Sequence, residues 1–149
     1  MQPHEAQSAL ASVHSAEARL ANKVGHCPPW RHAAFGALFA LLIGSIAISS
    51  TVQFAAMPVI IAGVVLLIRW DRKRYGVFIN GYRRGRTLPV TLGFVGIMIV
   101  LVVAAMHMRV NGFTDASKIG LAALAFAIAI GFSLAWGRTF MRELAGSAR

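Results

Sequence analysis

One cluster of sulfur and imidazole side chains, Met106-His107-Met108, has the ligand types that could hold a soft metal ion. Thioether and imidazole groups suit Cu(I). Three consecutive residues of a helix point in different directions, however, and the sequence contains no second Met/His cluster. We therefore interpret this cluster as an interfacial histidine with packed methionine neighbours, and we predict no metal site there.

A second cluster, His26-Cys27-Pro28 with His32 nearby, could suggest zinc or haem. A structural zinc site takes four ligands, and one Cys with two His falls short of that number. A haem needs axial ligands aimed into a pocket. A Pro-Pro break near the membrane surface does not predict such a pocket. We predict no cofactor, and we expect the lone cysteine to be a free thiol.

The polar side chains well inside the apolar stretches are Ser45, Thr91 and Ser133. An intramembrane hydrolase needs a nucleophile with a base in reach. We expect neither serine to have a histidine or an acid at its own depth, because His107 falls near one membrane edge and Ser133 near the other. The predicted spans also contain no Asp or Glu, the buried groups that proton-coupled transport commonly uses. The sequence therefore predicts a protein that is not an enzyme.

The most distinctive segment is 69–87, with seven basic residues, one acid and an apolar insert at 77–79. This pattern suits a segment that lies on a membrane, where each Lys or Arg near an anionic surface contributes about 1 kcal/mol. The candidate residues for docking anionic lipid headgroups or a protein partner are Arg69, Arg72, Lys73, Arg74, Tyr75, Tyr82, Arg83, Arg84 and Arg86. Plain anchoring of the topology, without a ligand, is the alternative. Nucleic acid is not expected, since no phosphate-cradling loop is present.

The composition of the whole chain is that of a membrane protein. The chain has 149 residues, of which 57% are apolar and 13% charged, and its net charge is +10. Soluble domains carry about twice that charged fraction. Most of the chain is therefore too apolar for disorder and too poor in polar residues for a soluble globule.

Four stretches of 17 to 19 residues lack Asp, Glu, Lys and Arg, and they are 33–50, 52–68, 88–106 and 119–136. A helix needs about 20 apolar residues to cross a hydrocarbon core of about 30 Å. The first two stretches are too long together for one span, so we expect a turn in the polar cluster at 49–53. Pro58 is then a kink within the second helix.

The ends of these helices have recognisable signals. Thr87 is expected to cap the third helix, and Asn111-Gly112 is expected to end it. The fourth helix is expected to end near Gly137, before a tail at 137–149. Residues 1–32 form a separate part, with an amphipathic helix over about 4–24 and a Pro-Pro linker.

Charge predicts the orientation of the four spans. The two termini and the loop at 69–87 share one side, which has thirteen Lys and Arg, whereas the other side has two. Basic residues in short loops stay cytoplasmic, so both termini are predicted inside. Trp30, Trp70 and Trp136 fall at the same side as interface anchors. A bacterial inner membrane fits this pattern.

Small residues at helical spacing predict where helices approach closely. They form two stripes, Gly36, Ala40 and Gly44 on the first helix and Ala123, Ala127, Gly131 and Ala135 on the fourth. General packing within one chain is one interpretation. A homodimer seam through the fourth helix is the other.

The predicted fold is an all-α membrane protein with four transmembrane helices in two antiparallel hairpins, over 33–136, plus the cytoplasmic amphipathic helix. The predicted function is structural, accessory or regulatory, through contact of the basic loop with anionic lipid or a partner. The alternative is a small dimeric transporter or channel. Four short spans are similar to those of small multidrug transporters, but those carry a membrane-embedded acid that this sequence lacks.

Overall fold

The computed structural model describes residues 5, 7–12, 15, 28–75 and 87–147. Within them the regular structure is entirely helical, and the four main helices are α1 (Pro29–Ile48), α2 (Ser50–Tyr75), α3 (Leu88–Val110) and α4 (Asp115–Ser147). Each is long and apolar enough to cross a membrane, so the all-α membrane class is confirmed. Most of the predicted helix at 4–24 lies outside the described residues, although 7–12 are helical and exposed.

The chain turns between α1 and α2 at a single extended residue, Ser49. The Ser49 N–H donates to the carbonyl of Ser45 at 3.3 Å, which closes α1. The Ser49 hydroxyl accepts from the N–H of Val52 at 3.1 Å, which caps the start of α2. Pro58 lies inside α2.

The α3–α4 turn satisfies the last carbonyls of α3 through a glycine in the left-handed region. Gly112 has φ +64°, and the N–H of Phe113 donates to the carbonyl of Met108 at 3.1 Å, the bond of a Schellman motif. Thr114 then caps α4, because its side-chain hydroxyl accepts from the N–H of Ser117 at 3.4 Å.

Two expected helix ends differ from the structure. The Thr87 side chain makes no capping hydrogen bond, and its carbonyl instead accepts from the N–H of Thr91 at 3.1 Å. α4 does not end at Gly137 but continues to Ser147. A glycine inside a helix costs about 1 kcal/mol, and the packing of the next turn offsets this, since Phe140 is buried and stacks on Trp136 at 5.2 Å.

The core lies between α1, α3 and α4. Each of these helices contributes three buried residues: Ile43, Ile46 and Ala47, then Met98, Leu101 and Ala105, then Leu121, Ala125 and Ala129. α1 contacts all three other helices, whereas α2, in the described part of the chain, packs its backbone against α1 alone. The molecule is therefore a three-helix core with α2 attached to one side.

Small residues bring α1 close to α4. A Cβ on Gly36 would lie 3.0 Å from Phe126 Cδ2 and 3.1 Å from the Phe126 carbonyl oxygen. A Cβ on Gly44 would lie 3.3 Å from that of Ala122. Ala40 is half-buried between them.

The predicted stripe on α4 lies elsewhere. Ala123, Ala127 and Gly131 are exposed, and Ala135 is half-buried. The face of α4 that packs on α1 instead includes Ala122 and Phe126. One helical position separates the two stripes, so the interpretation of Ala123, Ala127 and Gly131 as packing residues within one chain is wrong. The alternative, a homodimer seam along this stripe, stays a prediction.

Candidate functional site at the basic end

Four helix ends meet at what we call the basic end: the starts of α1 and α3 and the ends of α2 and α4. α1 and α2 are joined there by an ion pair. Arg31 donates from Nε to Asp71 Oδ1 at 2.8 Å and from Nη2 to Asp71 Oδ2 at 2.7 Å. The two side chains are 27% and 18% exposed. This two-pronged geometry fixes the guanidinium and neutralises both charges in a partly desolvated place.

An aromatic pair lies beside the ion pair. The rings of Trp30 and Trp70 meet edge to face, with 4.7 Å between their centroids. The Arg74 guanidinium lies 5.4 Å from the Trp70 ring, within cation–π range. The two tryptophans predicted as interface anchors on α1 and α2 thus form one unit.

The described part of the predicted docking set lies on the last turns of α2. Arg69, Arg72, Lys73 and Arg74 are all exposed there. Cations are favoured at this position because the carboxyl end of a helix carries partial negative charge. Tyr75 is the last residue of α2. Tyr82, Arg83, Arg84 and Arg86 lie outside the described residues.

A groove of about 620 Å³ runs between α1 and α2 toward this cationic turn. Its surface is almost entirely apolar, and it is lined by Trp30, Ala34, Ala37, Leu38, Gly63, Leu66, Leu67, Arg69, Trp70 and Lys73. Gly63 permits the close approach of the two helices, since a Cβ there would lie 2.5 Å from Leu38 Cδ2. Gly63 is not among the small residues predicted to bring helices together.

A separate cavity of about 220 Å³ lies between α1, α3 and α4 at the same end. It is lined by Arg31, Phe35, Val90, Thr91, Phe94, Phe132, Ser133 and Trp136. Beside it, His32 Nδ1 lies 2.8 Å from the Ser133 hydroxyl. The expectation that Ser133 has no histidine at its depth is therefore wrong. The predicted topology already indicates that the two residues lie at similar depth. In four antiparallel spans, the start of the first helix and the end of the fourth are on the same side of the membrane.

Trp136, the third predicted anchor, has a different environment from the other two. Its ring stacks on Phe140, and its indole Nε1 is buried with no hydrogen-bond partner in the described structure. An indole N–H can only donate, so this donor is unsatisfied within the part of the chain that the structure describes.

The opposite end has little that could do chemistry. His107 is exposed, and its ring nitrogens lie 3.2 Å and 3.4 Å from the Asn111 side-chain amide. Met106 is exposed, and Met108 is half-buried. Across the described ranges, no group of three His, Cys, Asp or Glu could hold a metal ion. The cluster at 26–27 is outside those ranges.

Comparisons with known proteins add no family to this description. No protein-family model, no curated protein and no solved structure matches the chain.

Proposed function

We propose that this chain is a structural, accessory or regulatory membrane protein that holds an anionic phospholipid between α1 and α2. The observation that carries the proposal is the groove at the basic end, whose surface is almost entirely apolar and whose lining residues include Arg69 and Lys73 near the end of α2. An acyl chain matches the apolar surface, and a phosphate matches Arg69 and Lys73. No catalytic step is part of this function.

The dimensions and charges are consistent with such a lipid. From Leu38 to Trp30 the groove follows α1 for eight residues, or about 12 Å. Arg69 and Lys73 are four residues apart, so they lie on one face of α2 near its end. Asp71, the acid between them, is already paired with Arg31. The local charge is therefore favourable to a phosphate.

The proposed placement has the basic end in the cytoplasm of a bacterial cell, with the chain in the inner membrane. The excess of Lys and Arg on that side supports it. Reporter fusions after residue 149 and within 109–118 test the orientation. We expect the first to be active only as a cytoplasmic reporter and the second only as an external one, and the reverse pattern would refute the placement.

Lipid retention tests the groove. In native mass spectrometry from nanodiscs, the protein is expected to retain phosphatidylglycerol over phosphatidylcholine. The double variant R69Q/K73Q is expected to lose that preference by about tenfold or more, because two cations near a phosphate contribute about 1 kcal/mol each.

The matched control is R138Q/R142Q, which also removes two positive charges. Both arginines are exposed residues of α4 near the basic end. We expect it to keep the preference. Equal loss in both variants would show that bulk charge alone attracts the lipid. An absence of preference in the unmodified protein would refute the proposal and favour a protein partner for the basic surface.

A further inference from the structure

Ser133 has a different hydrogen-bond partner from the other hydroxyl side chains well inside the spans. The hydroxyls of Ser45 and Thr91 donate to carbonyls of their own helices, at 2.9 Å and 3.2 Å. That is the usual arrangement for Ser and Thr inside a helix. The Ser133 hydroxyl instead lies 2.8 Å from Nδ1 of His32, which belongs to another helix. A serine hydroxyl within hydrogen-bond reach of an imidazole nitrogen is the arrangement of an activated nucleophile.

The cavity between α1, α3 and α4 gives a reactant access to this hydroxyl, because Ser133 is one of its lining residues. Ser133 and His32 are both half-buried, and His32 lies in the first turn of α1, at the basic end. Water at the membrane surface is therefore close to the pair. The same pair can meet an apolar reactant from the membrane and water from outside it.

The rest of the cavity suits an apolar chain beside the reacting group. Phe35, Val90, Phe94 and Phe132 line it, and its volume is about 220 Å³. An engineered cavity of about 150 Å³ is enough to bind benzene. This cavity therefore has room for a chain of several carbon atoms.

Arg31 is the charged residue of the same lining, and the two-pronged bond to Asp71 fixes its guanidinium. When a nucleophile attacks a carbonyl carbon, negative charge develops on the carbonyl oxygen. Fixed cationic donors stabilise such charge. The cavity therefore combines a nucleophile, a base and a group that favours the attack on a carbonyl.

We infer that Ser133 is the nucleophile, and His32 the base, in the hydrolysis of esters of apolar carboxylic acids. The Ser133 oxygen forms a bond to the ester carbonyl carbon, and its proton moves to His32 Nδ1, in the tautomer whose other proton is on Nε2. The bond to the alcohol oxygen then breaks, and His32 gives the proton to the departing alcohol. Water releases the acyl group from Ser133 by the same steps in reverse, so one ester and one water give one acid and one alcohol. This activity is separate from the retention of a lipid in the groove between α1 and α2.

An alkyl fluorophosphonate, which reacts with nucleophilic serines, tests the role of Ser133. In nanodiscs, the unmodified protein is expected to gain one adduct in its intact mass, and peptide mapping is expected to place that adduct on Ser133. S133A is expected to gain none. S45A removes a buried hydroxyl that bonds to its own helix, so it is the matched control and is expected to react like the unmodified protein. Absence of an adduct on the folded, unmodified protein would overturn the inference, and so would an adduct on any other serine alone.

The rate of the same reaction tests the role of His32. H32Q is expected to slow adduct formation about a hundredfold or more, the typical contribution of a general base. H107Q, which changes an exposed histidine at the opposite end, is the control and is expected to react at the unmodified rate. An unchanged rate in helical, folded H32Q would overturn the assignment of the base. The reaction of the unmodified protein decides the role of Ser133 even if a variant does not fold.

Two esters test whether the acyl chain lies in the cavity. The unmodified protein is expected to hydrolyse p-nitrophenyl octanoate with a higher kcat/KM than p-nitrophenyl acetate, and S133A is expected to match empty nanodiscs. Val90→Phe fills the cavity and is expected to lower kcat/KM for the octanoate at least about tenfold, and that for the acetate much less. Val100→Phe, at an exposed position of α3, is the matched control and is expected to change neither. Equal losses for the two esters in Val90→Phe would overturn the placement of the acyl chain.

Discussion

α1 and α2 form one hairpin, but they pack differently. In the described part of the chain, α1 contacts all three other main helices, whereas α2 packs its backbone against α1 alone. About 28% of the span in α1 is buried in the described structure, compared with 6% in α2. Ile43 and Ala47 on α1 have no exposed surface. On α2, Ala56 is the buried apolar residue, whereas Phe54 and Leu66 are largely exposed.

Apolar character does not explain this difference, because α1 is the least apolar of the four spans and α2 is more apolar than α1. In lipid, an apolar side chain gains little by leaving the acyl chains for a protein neighbour. Close approach and polar contacts select the neighbours instead. α1 has Gly36 and Gly44 against α4. α2 is attached by Gly63, by the Arg31–Asp71 pair and by a hydrogen bond from Arg109 to Gln53.

The largest expected effect comes from separating α1 and α4. Gly36→Leu places a side chain against the Phe126 backbone, which cannot move aside, so we expect a loss of about 3 kcal/mol or more in unfolding free energy. Unfolding in mixed micelles of dodecylmaltoside and dodecyl sulfate, followed by circular dichroism, measures it. Gly96→Leu, where a Cβ would meet open space, is the control and is expected to be neutral or stabilising. Equal losses would contradict the three-helix core.

The ion pair that attaches α2 is expected to have an intermediate effect. A double-mutant cycle with Arg31→Gln and Asp71→Asn should give a coupling of about 1–2 kcal/mol, between the values for surface and buried pairs. The pair of Lys118 and Asp115 provides the comparison, since the Asp115 side chain is 90% exposed. There we expect about 0.5 kcal/mol or less. A zero coupling at Arg31–Asp71 would leave α2 attached by packing and by the Arg109–Gln53 hydrogen bond.

The cap between α1 and α2 is expected to contribute somewhat less. Ser49→Ala removes the hydroxyl that accepts from the Val52 N–H, and we expect a cost of about 1 kcal/mol. Ser50→Ala changes the neighbouring exposed residue and should cost close to nothing. The same micelle titration distinguishes the two, and indistinguishable variants would show that water replaces the cap.

The smallest effect is expected at the contact of α2 with α1. Gly63→Ala meets the end of the flexible Leu38 side chain, and α2 can shift outward, so the net change should stay within about 0.5 kcal/mol. Gly36→Ala, next to a backbone oxygen in the core, should cost more than Gly63→Ala. A larger loss of unfolding free energy for Gly63→Ala than for Gly36→Ala would contradict the conclusion that α1 packs more tightly on α4 than on α2.

The sequence predicts the positions of the membrane spans well. It predicts poorly which helix faces pack against each other. Uncharged stretches and turn residues such as Ser49 and Gly112 are local signals, and the helices contain all four predicted spans except for the residues at the first turn. The predicted stripe on α4 misses the packed face by one position, because small residues occupy several faces of that helix. His32 and Ser133 are 101 residues apart. The predicted topology places both on one side of the membrane, but only the packing of α1 against α4 shows that they are in contact.

By itself, the sequence determined that this is an all-α membrane protein with four apolar stretches long enough to span a membrane and a concentration of basic groups at one end. Those properties follow from composition along the chain, since lipid requires each span to be long, apolar and internally hydrogen-bonded. Only the tertiary structure decided that α2 lies outside the core, and that a groove and a cavity share the basic end. Those depend on side-chain shape between distant segments, which the apolar pattern does not record.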